Sequence, residues 1–259
     1  MINLDVSQLQ HWIGALFWPF VRIGACLMMA PVYGASYVPR RLRIALAGAV
    51  TLPIAPLLPP APDVALLSLD GVIITLQQLL IGAALGFALQ LVFDALMLGG
   101  QLLANGMGLG FAFNLDPLRG VTTPALGQLY VVLGTLVFLA LDGHLALLNT
   151  LVDSFRGLPI GTSGFDAARA RALADWGGIL FLGGLRVALP GMAALLVINL
   201  AFGVMSRAAP ALNLFAVGLP VTLVFGLAIV TFGMPTMGAA FTSLLADAFD
   251  FTRAMTAAH

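Results

Sequence analysis

Lysine and glutamate are absent from this 259-residue chain. Its charge rests on 11 Arg and 11 Asp, together 8% of the residues, where a soluble domain carries roughly 25%. So few charges cannot cover the surface of a soluble protein of this size, which excludes a cytosolic enzyme and a disordered chain alike. The formal net charge is +0, so nothing pulls the chain electrostatically toward nucleic acid, and no nucleic-acid partner is expected. Without Lys there is no Gly-rich loop ending in Lys to cradle a nucleotide. Without Glu there is no paired-Glu acid–base site. His11, His144 and His259 are too far apart for zinc-ligand spacing. No metal, cofactor or enzymatic activity is expected. The lone cysteine, Cys26, cannot form an internal disulfide and lies in an apolar run, as a small core residue would.

What the chain does have is apolar length. Its residues are 61% hydrophobic and its mean hydropathy is +1.05. A membrane-crossing helix needs about 20 apolar residues. Six segments approach that requirement: 11–32, 44–58, 69–98, 125–141, 176–205 and 212–232. The second is short and is expected to break at its end, where Pro53 and Pro56 fall. Asp142, Gly143 and His144 interrupt the fourth, and apolar residues resume over 145–152. A terminal amphipathic helix is expected over 241–255. The most polar connection is 153–175. The first ten residues carry Asp5 and no Arg, so the first segment reads as an uncleaved membrane-type helix. Arg40, Arg41 and Arg43 argue that the first loop is cytoplasmic. Strict alternation then puts Arg156, Arg169 and Arg171 outside, against the positive-inside rule. The chain is therefore not expected to sit in lipid as a simple zigzag. It reads as all-α, a helical membrane protein of about six long, kinked hydrophobic helices, and as one unit over 1–259.

Two sets of residues invite a functional reading. Charges in apolar segments are costly and normally face protein or water. Arg22, Asp94, Asp142 and Arg186 are such charges, and His144 lies beside Asp142. Ion pairing within the chain or between subunits, for instance of Arg22 or Arg186 with an Asp, is favoured over a proton relay, because Arg does not titrate usefully. The Asp142–His144 pair reads as a cap at a helix break. The second set is the stretch 99–124, which is Gly-rich and irregular yet apolar. Gly99, Gly100, Gly106, Gly108 and Gly110 oppose an isolated helix. Irregular backbone at membrane depth must be buried in protein or line a cavity. The stretch either folds inward to close a pore, with Met107, Phe111 and Phe113 as fillers, or its Gly residues pack helices together. Residue chemistry favours neither.

An ordered series of short matches carries a family likeness over roughly 12–235. It begins with Phe20-Val21-Arg22-Ile23-Gly24, Pro31-Val32-Tyr33-Gly34 and Val38-Pro39-Arg40-Arg41-Leu42-Arg43. It continues through the Gly-rich stretch, Asp142-Gly143-His144, Leu158-Pro159-Ile160-Gly161 and Ala188-Leu189-Pro190. Asn199-Leu200-Ala201-Phe202-Gly203, Arg207-Ala208-Ala209-Pro210 and Gly218-Leu219-Pro220 close it. In these residues the chain resembles the FliR family, the R component of the flagellar type III protein-export gate. The chain has Gly100-Gln101 where the family often has Gly-Glu, and Pro210-Ala211-Leu212-Asn213 where a more polar run is common.

The resemblance implies a non-enzymatic pore subunit in the bacterial inner membrane and flagellar basal body. It implies helices arranged as bent hairpins, with a P-like part over 1–165 followed by a Q-like part over 166–259. The implied partners are the P and Q export-gate components in a hetero-oligomeric ring, the B and A export components, inner-membrane lipid, and unfolded flagellar substrates in transit. By motif match, Gly106, Met107, Gly108, Leu109, Gly110, Phe111, Ala112, Phe113, Asn114, Leu115, Asp116 and Pro117 take the role of a plug that closes the channel. Two other readings remain: the equivalent T component of a virulence-type injectisome, and a stand-alone secondary transporter or channel.

Overall fold

The computed structural model describes residues 6–35, 37–109, 125–208 and 214–257. Among them all regular structure is helical: α1 Val6–Met29, α2 Arg40–Ile54 followed by a 3-10 turn Ala55–Leu57, α3 Leu69–Gly106, α4 Ala125–Ala140, α5 Gly143–Gly157, α6 Ala167–Trp176, α7 Ile179–Ala208 and α8 Leu214–Thr256. Three stretches, Leu69–Gly106, Ala167–Met205 and Gly218–Thr256, are long and apolar enough to cross a membrane. The pair α4 and α5 makes a fourth if counted as one broken span. At about 1.5 Å per residue, the 38 residues of α3 reach roughly 57 Å, well beyond the ~30 Å hydrocarbon layer. The protein is a helical membrane protein.

The helices follow the apolar segments, with four corrections. The sequence leaves the third segment open to extension past Leu98 but predicts an irregular stretch from Gly99. α3 continues through Gly99 and Gly100 to Gly106, because tertiary contact outweighs the low helix propensity of these glycines. The expected sixth segment and terminal amphipathic helix are one element, α8, with Pro220 and Pro235 inside it. Phe241, Leu244 and Ala248 beyond Pro235 are fully buried, and that burial holds the helix across a residue that lacks an N–H donor. The polar connection 153–175 is half helical. Asp166 caps α6 by accepting from the Arg169 N–H at 2.8 Å, and the Ala-, Arg- and Leu-rich run behind it favours a helix. Finally, α1 begins at Val6 rather than His11. The second segment behaves as expected, ending in the 3-10 turn that contains Pro56.

The chain divides into two compact units. The first comprises Met1–Leu91, Leu141–Gly177 and Ala246–His259. Here α1 and α3 meet at a glycine notch. Gly82 lies against the Arg22 carbonyl and Gly86 against the Cys26 carbonyl. Both pairs are spaced by four residues, so one helix face presents two bare backbone sites to one turn of the other. The Trp18 indole N–H donates to Thr75 Oγ1 at 3.3 Å, and Trp18 packs with Ala61 and Ile74 in a small core cluster. Trp176 stacks on Phe251 with ring centroids 4.6 Å apart and donates to the Ala88 carbonyl at 3.1 Å. Both indoles thus fill protein contacts rather than mark a headgroup belt.

The second unit comprises Val92–Ala140 and Gly178–Leu245. Phe93 sits edge-to-face with both Phe138 and Phe241, at 5.6 and 5.3 Å between centroids, a geometry the ring quadrupoles favour. Gly99 and Gly100 are buried in this unit too. A Cβ on Gly100 would stand 2.6 Å from the Gly127 Cα, and one on Gly99 would stand 2.9 Å from a Val187 methyl. At these two positions glycine serves close helix packing. α7 is different in kind. Its outer face exposes Phe181, Leu182, Leu196, Val197 and Leu200, apolar surface that needs lipid or another protein to cover it.

Candidate functional site

The base of the Gly-rich stretch is built as a helix stop. The Met107 N–H still donates to the Leu103 carbonyl in the helical pattern. The Leu109 N–H then reaches back five residues to the Ala104 carbonyl, and the Gly108 N–H reaches three residues to the Asn105 carbonyl, both at 3.0 Å. Gly108 has φ +80°. This pair of bonds around a left-handed residue is a Schellman cap, for which glycine is the favoured residue. A Cβ on Gly108 would meet only Leu219, at an ordinary 3.7 Å, so the backbone and not crowding requires glycine here.

Side chains from α7 and α8 pin this stop. Asn199 Nδ2 donates to the Gly106 carbonyl at 3.3 Å, satisfying one of the acceptors a helix end leaves over. Met107 is 1% exposed and rests on Gly226 of α8, where any side chain would collide with its thioether. Leu195 lies over Gly106. Gly106, Met107, Gly108 and Leu109 therefore form an anchored base. Gly110, Phe111, Ala112, Phe113, Asn114, Leu115, Asp116 and Pro117 lie outside the described residues. Asn199 and Gly226 were not singled out for this role in the sequence. Asn199 stood only in a run of family-like residues, and nothing local marks Gly226.

The four charges read from the sequence fare differently. Arg22 is fully buried, but its partners are neutral. Nε donates to Gln78 Oε1 at 2.8 Å. Nη1 donates to the Ser154 carbonyl at 3.0 Å and to Ser154 Oγ at 3.2 Å, and Nη2 donates to the Leu158 carbonyl at 2.8 Å. The guanidinium lies 4.1 Å from the centroid of the Phe155 ring. Among the described residues no carboxylate pairs with it, so within the chain four hydrogen bonds and a cation–π contact stand where an internal ion pair would. The reason is geometric: the five donors of the guanidinium fan out and meet α3 on one side and the end of α5 on the other. Asp94 is half-buried and Arg186 exposed, and each has an interaction partner.

Asp142 is exposed, not buried. It takes a left-handed conformation, φ 54°, at the start of α5. Its carbonyl accepts from the Leu145 and Ala146 N–H groups, while its side chain makes no capping bond. The break is thus a backbone turn rather than a side-chain cap. His144 Nδ1 is shielded from solvent and meets no hydrogen-bond partner among the described residues.

A further charge cluster ties down the C-terminal end. Arg169 Nε donates to the Met255 carbonyl at 2.9 Å and Nη2 to the Ala257 carbonyl at 3.2 Å, while Nη1 pairs with Asp166 Oδ2 at 3.3 Å. A cation at a helix C-terminus complements its exposed carbonyls. The backbone N–H of Arg169, with a smaller contribution from its charge, holds the Asp166 carboxyl below the usual carboxylate range.

The family described as "Bacterial export proteins, family 1" matches residues 13–248. The chain belongs to this family. Relatives share its length as well. It is 37% identical over 250 residues to the "Flagellar biosynthetic protein FliR" of Escherichia coli K12, covering 96% of this chain and 95% of the relative. It is 38% identical over 250 residues, with the same coverage, to the protein of that name from Pectobacterium carotovorum. The corresponding Aquifex aeolicus protein is 29% identical over 247 residues. The matched range includes α3, its cap and the positions of Asn199 and Gly226.

Proposed function

We propose that this chain is a non-enzymatic subunit of the flagellar type III export gate in the bacterial inner membrane at the flagellar basal body. In this reading it assembles with the P and Q components, the P-like part being 1–165 and the Q-like part 166–259. It works with the B and A components on unfolded flagellar proteins in transit. The observation that carries the reading is the family match over 13–248, together with full-length relatives named as flagellar biosynthetic proteins. Those names favour the flagellar branch over the injectisome.

Within the gate, residues 106–117 act as the plug. What supports this is the construction of its base. A long helix is stopped by a Schellman cap, fixed by Asn199 and Met107, at the point where an apolar Gly-rich segment begins. A plug needs a fixed hinge and a segment whose closed state is only a few kcal/mol better than its open one, or substrates could not displace it. The exposed apolar face of α7 fits a chain completed by partner subunits.

The test is co-expression with candidate P and Q components, tagged pull-down and native mass determination. One defined hetero-complex containing this chain is expected. Recovery of the chain alone, folded and monodisperse, would return the transporter reading to first place.

A further inference from the structure

Arg40, Arg41 and Arg43 stand apart electrostatically. Arg156, Arg169 and Arg253 each pair with an Asp three residues earlier. No acidic residue occurs anywhere between Asp5 and Asp63, and Arg22, the other arginine in that interval, is used internally. Arg40 and Arg41 are exposed and make no side-chain hydrogen bond or ion pair among the described residues. They occupy the first turn of α2, behind Pro39, which offers no side-chain cap. A helix start with free N–H groups and positive partial charge adds to theirs.

Beside this cluster runs an apolar cleft of about 190 Å³ between α1 and α2, walled by Val21, Gly24, Met28, Ile44 and Leu79, with Arg43 as its one charged lining residue. Arg43 is anchored by Nη2, which donates to the Ala35 carbonyl at 2.6 Å, while its Nε has no hydrogen-bond partner among the described residues. Met28, Ile44 and Leu79 are about half exposed, so the cleft opens along its lip. Tyr37, just before α2, and Leu42, in its first turn, are 73% and 58% exposed, and aromatic and basic residues together are the composition of a membrane interface.

We propose that this cleft binds an anionic phospholipid, with an acyl chain along the α1–α2 groove and the phosphate against Arg40, Arg41 and Arg43. Charge complementarity selects an anion, and clustered arginines beside apolar surface suit an anionic lipid headgroup. The apolar groove selects a ligand that carries hydrocarbon next to the anion. An acidic protein segment would need polar partners along the groove, and its lining provides none besides Arg43.

The test uses the full chain, purified with its co-expressed partners in neutral detergent, and native mass spectrometry during titration with phosphatidylglycerol or phosphatidylcholine. Wild type should hold phosphatidylglycerol at least about tenfold more tightly. Arg40→Gln/Arg41→Gln alters only exposed side chains and should bring phosphatidylglycerol down to the phosphatidylcholine level. Gly24→Leu fills the groove, where a Cβ has only Ala47 nearby at 3.9 Å, and should weaken both lipids. Equal affinity for the two lipids in wild type, or unchanged phosphatidylglycerol binding in the Arg variant, would overturn the proposal. So would crosslinking of the Arg cluster to an acidic partner segment with no lipid retained. The readout does not depend on export, so it fails or succeeds separately from the gate reading.

Discussion

Replacing Arg22 tests the most connected polar group in the chain. Arg22→Met keeps much of the side-chain length and removes every donor. The Ser154 carbonyl keeps a bond, because the Leu158 N–H also donates to it at 2.9 Å, and Ser154 Oγ keeps its own bond to the Leu151 carbonyl. Two acceptors are stranded, the Leu158 carbonyl and Gln78 Oε1, in residues 5% and 0% exposed. A stranded buried acceptor costs about 1–3 kcal/mol, and loss of the contact over Phe155 adds about 0.5–2 kcal/mol. The expected destabilisation is therefore about 2.5–8 kcal/mol, which for a chain of this size corresponds to at least about 5 °C in Tm. Arg22→Lys should recover little of it, because one ammonium cannot serve Gln78 on one side and Leu158 on the other. The assay is thermal unfolding in detergent, read by helical circular dichroism, for wild type and both variants. Because the acceptors are neutral, the Arg22→Met deficit should stay constant as pH falls through the carboxylate range. A Tm within about 2 °C of wild type for either variant, or a deficit that vanishes on acidification, would refute the hydrogen-bond account.

Three further outcomes are expected. Gly82→Ala or Gly86→Ala drives a methyl into the α1 backbone and should cost about 1–3 kcal/mol. Gly48→Ala, where a Cβ has nothing within 4 Å, should be neutral or slightly stabilising, and equal Tm values for all three would remove the notch from the argument. Gly108→Val strains a φ of +80° by at least about 1–2 kcal/mol, whereas Gly108→Asn should be milder. If residues 106–117 plug the channel, the valine variant leaks ions or blocks export, and unchanged conductance and secretion would exclude the plug. Asp166 is more acidic in the folded chain than its ordinary value, so its contribution is present above the usual carboxylate range and lost as pH falls through the lower folded value. Hydrogen exchange at the Arg169 amide should show Asp166→Asn as less protected at neutral pH and indistinguishable from wild type in strong acid.

Much of the protein was legible along the chain. Scarce charge and long apolar runs gave a helical membrane protein, because apolar length and helix-forming residues are local properties. The breaks at Pro56 and Asp142 were legible for the same reason. The family could be read from ordered short motifs. What the chain alone could not decide was the outcome of competition between local preference and distant contact. Gly99 and Gly100 read as helix breakers and are helical, because Val187 and Gly127 pack where a side chain would be. A break is expected between 232 and 241, yet Pro235 lies inside α8, held by burial beyond it. α3 does stop at Gly106, and the left-handed backbone of Gly108 just beyond it marks the stop. Arg22 shows the limit most plainly. Its burial follows from its place in an apolar segment, but its acceptors lie 56 to 136 residues away, and the fold alone brought them within hydrogen-bond distance.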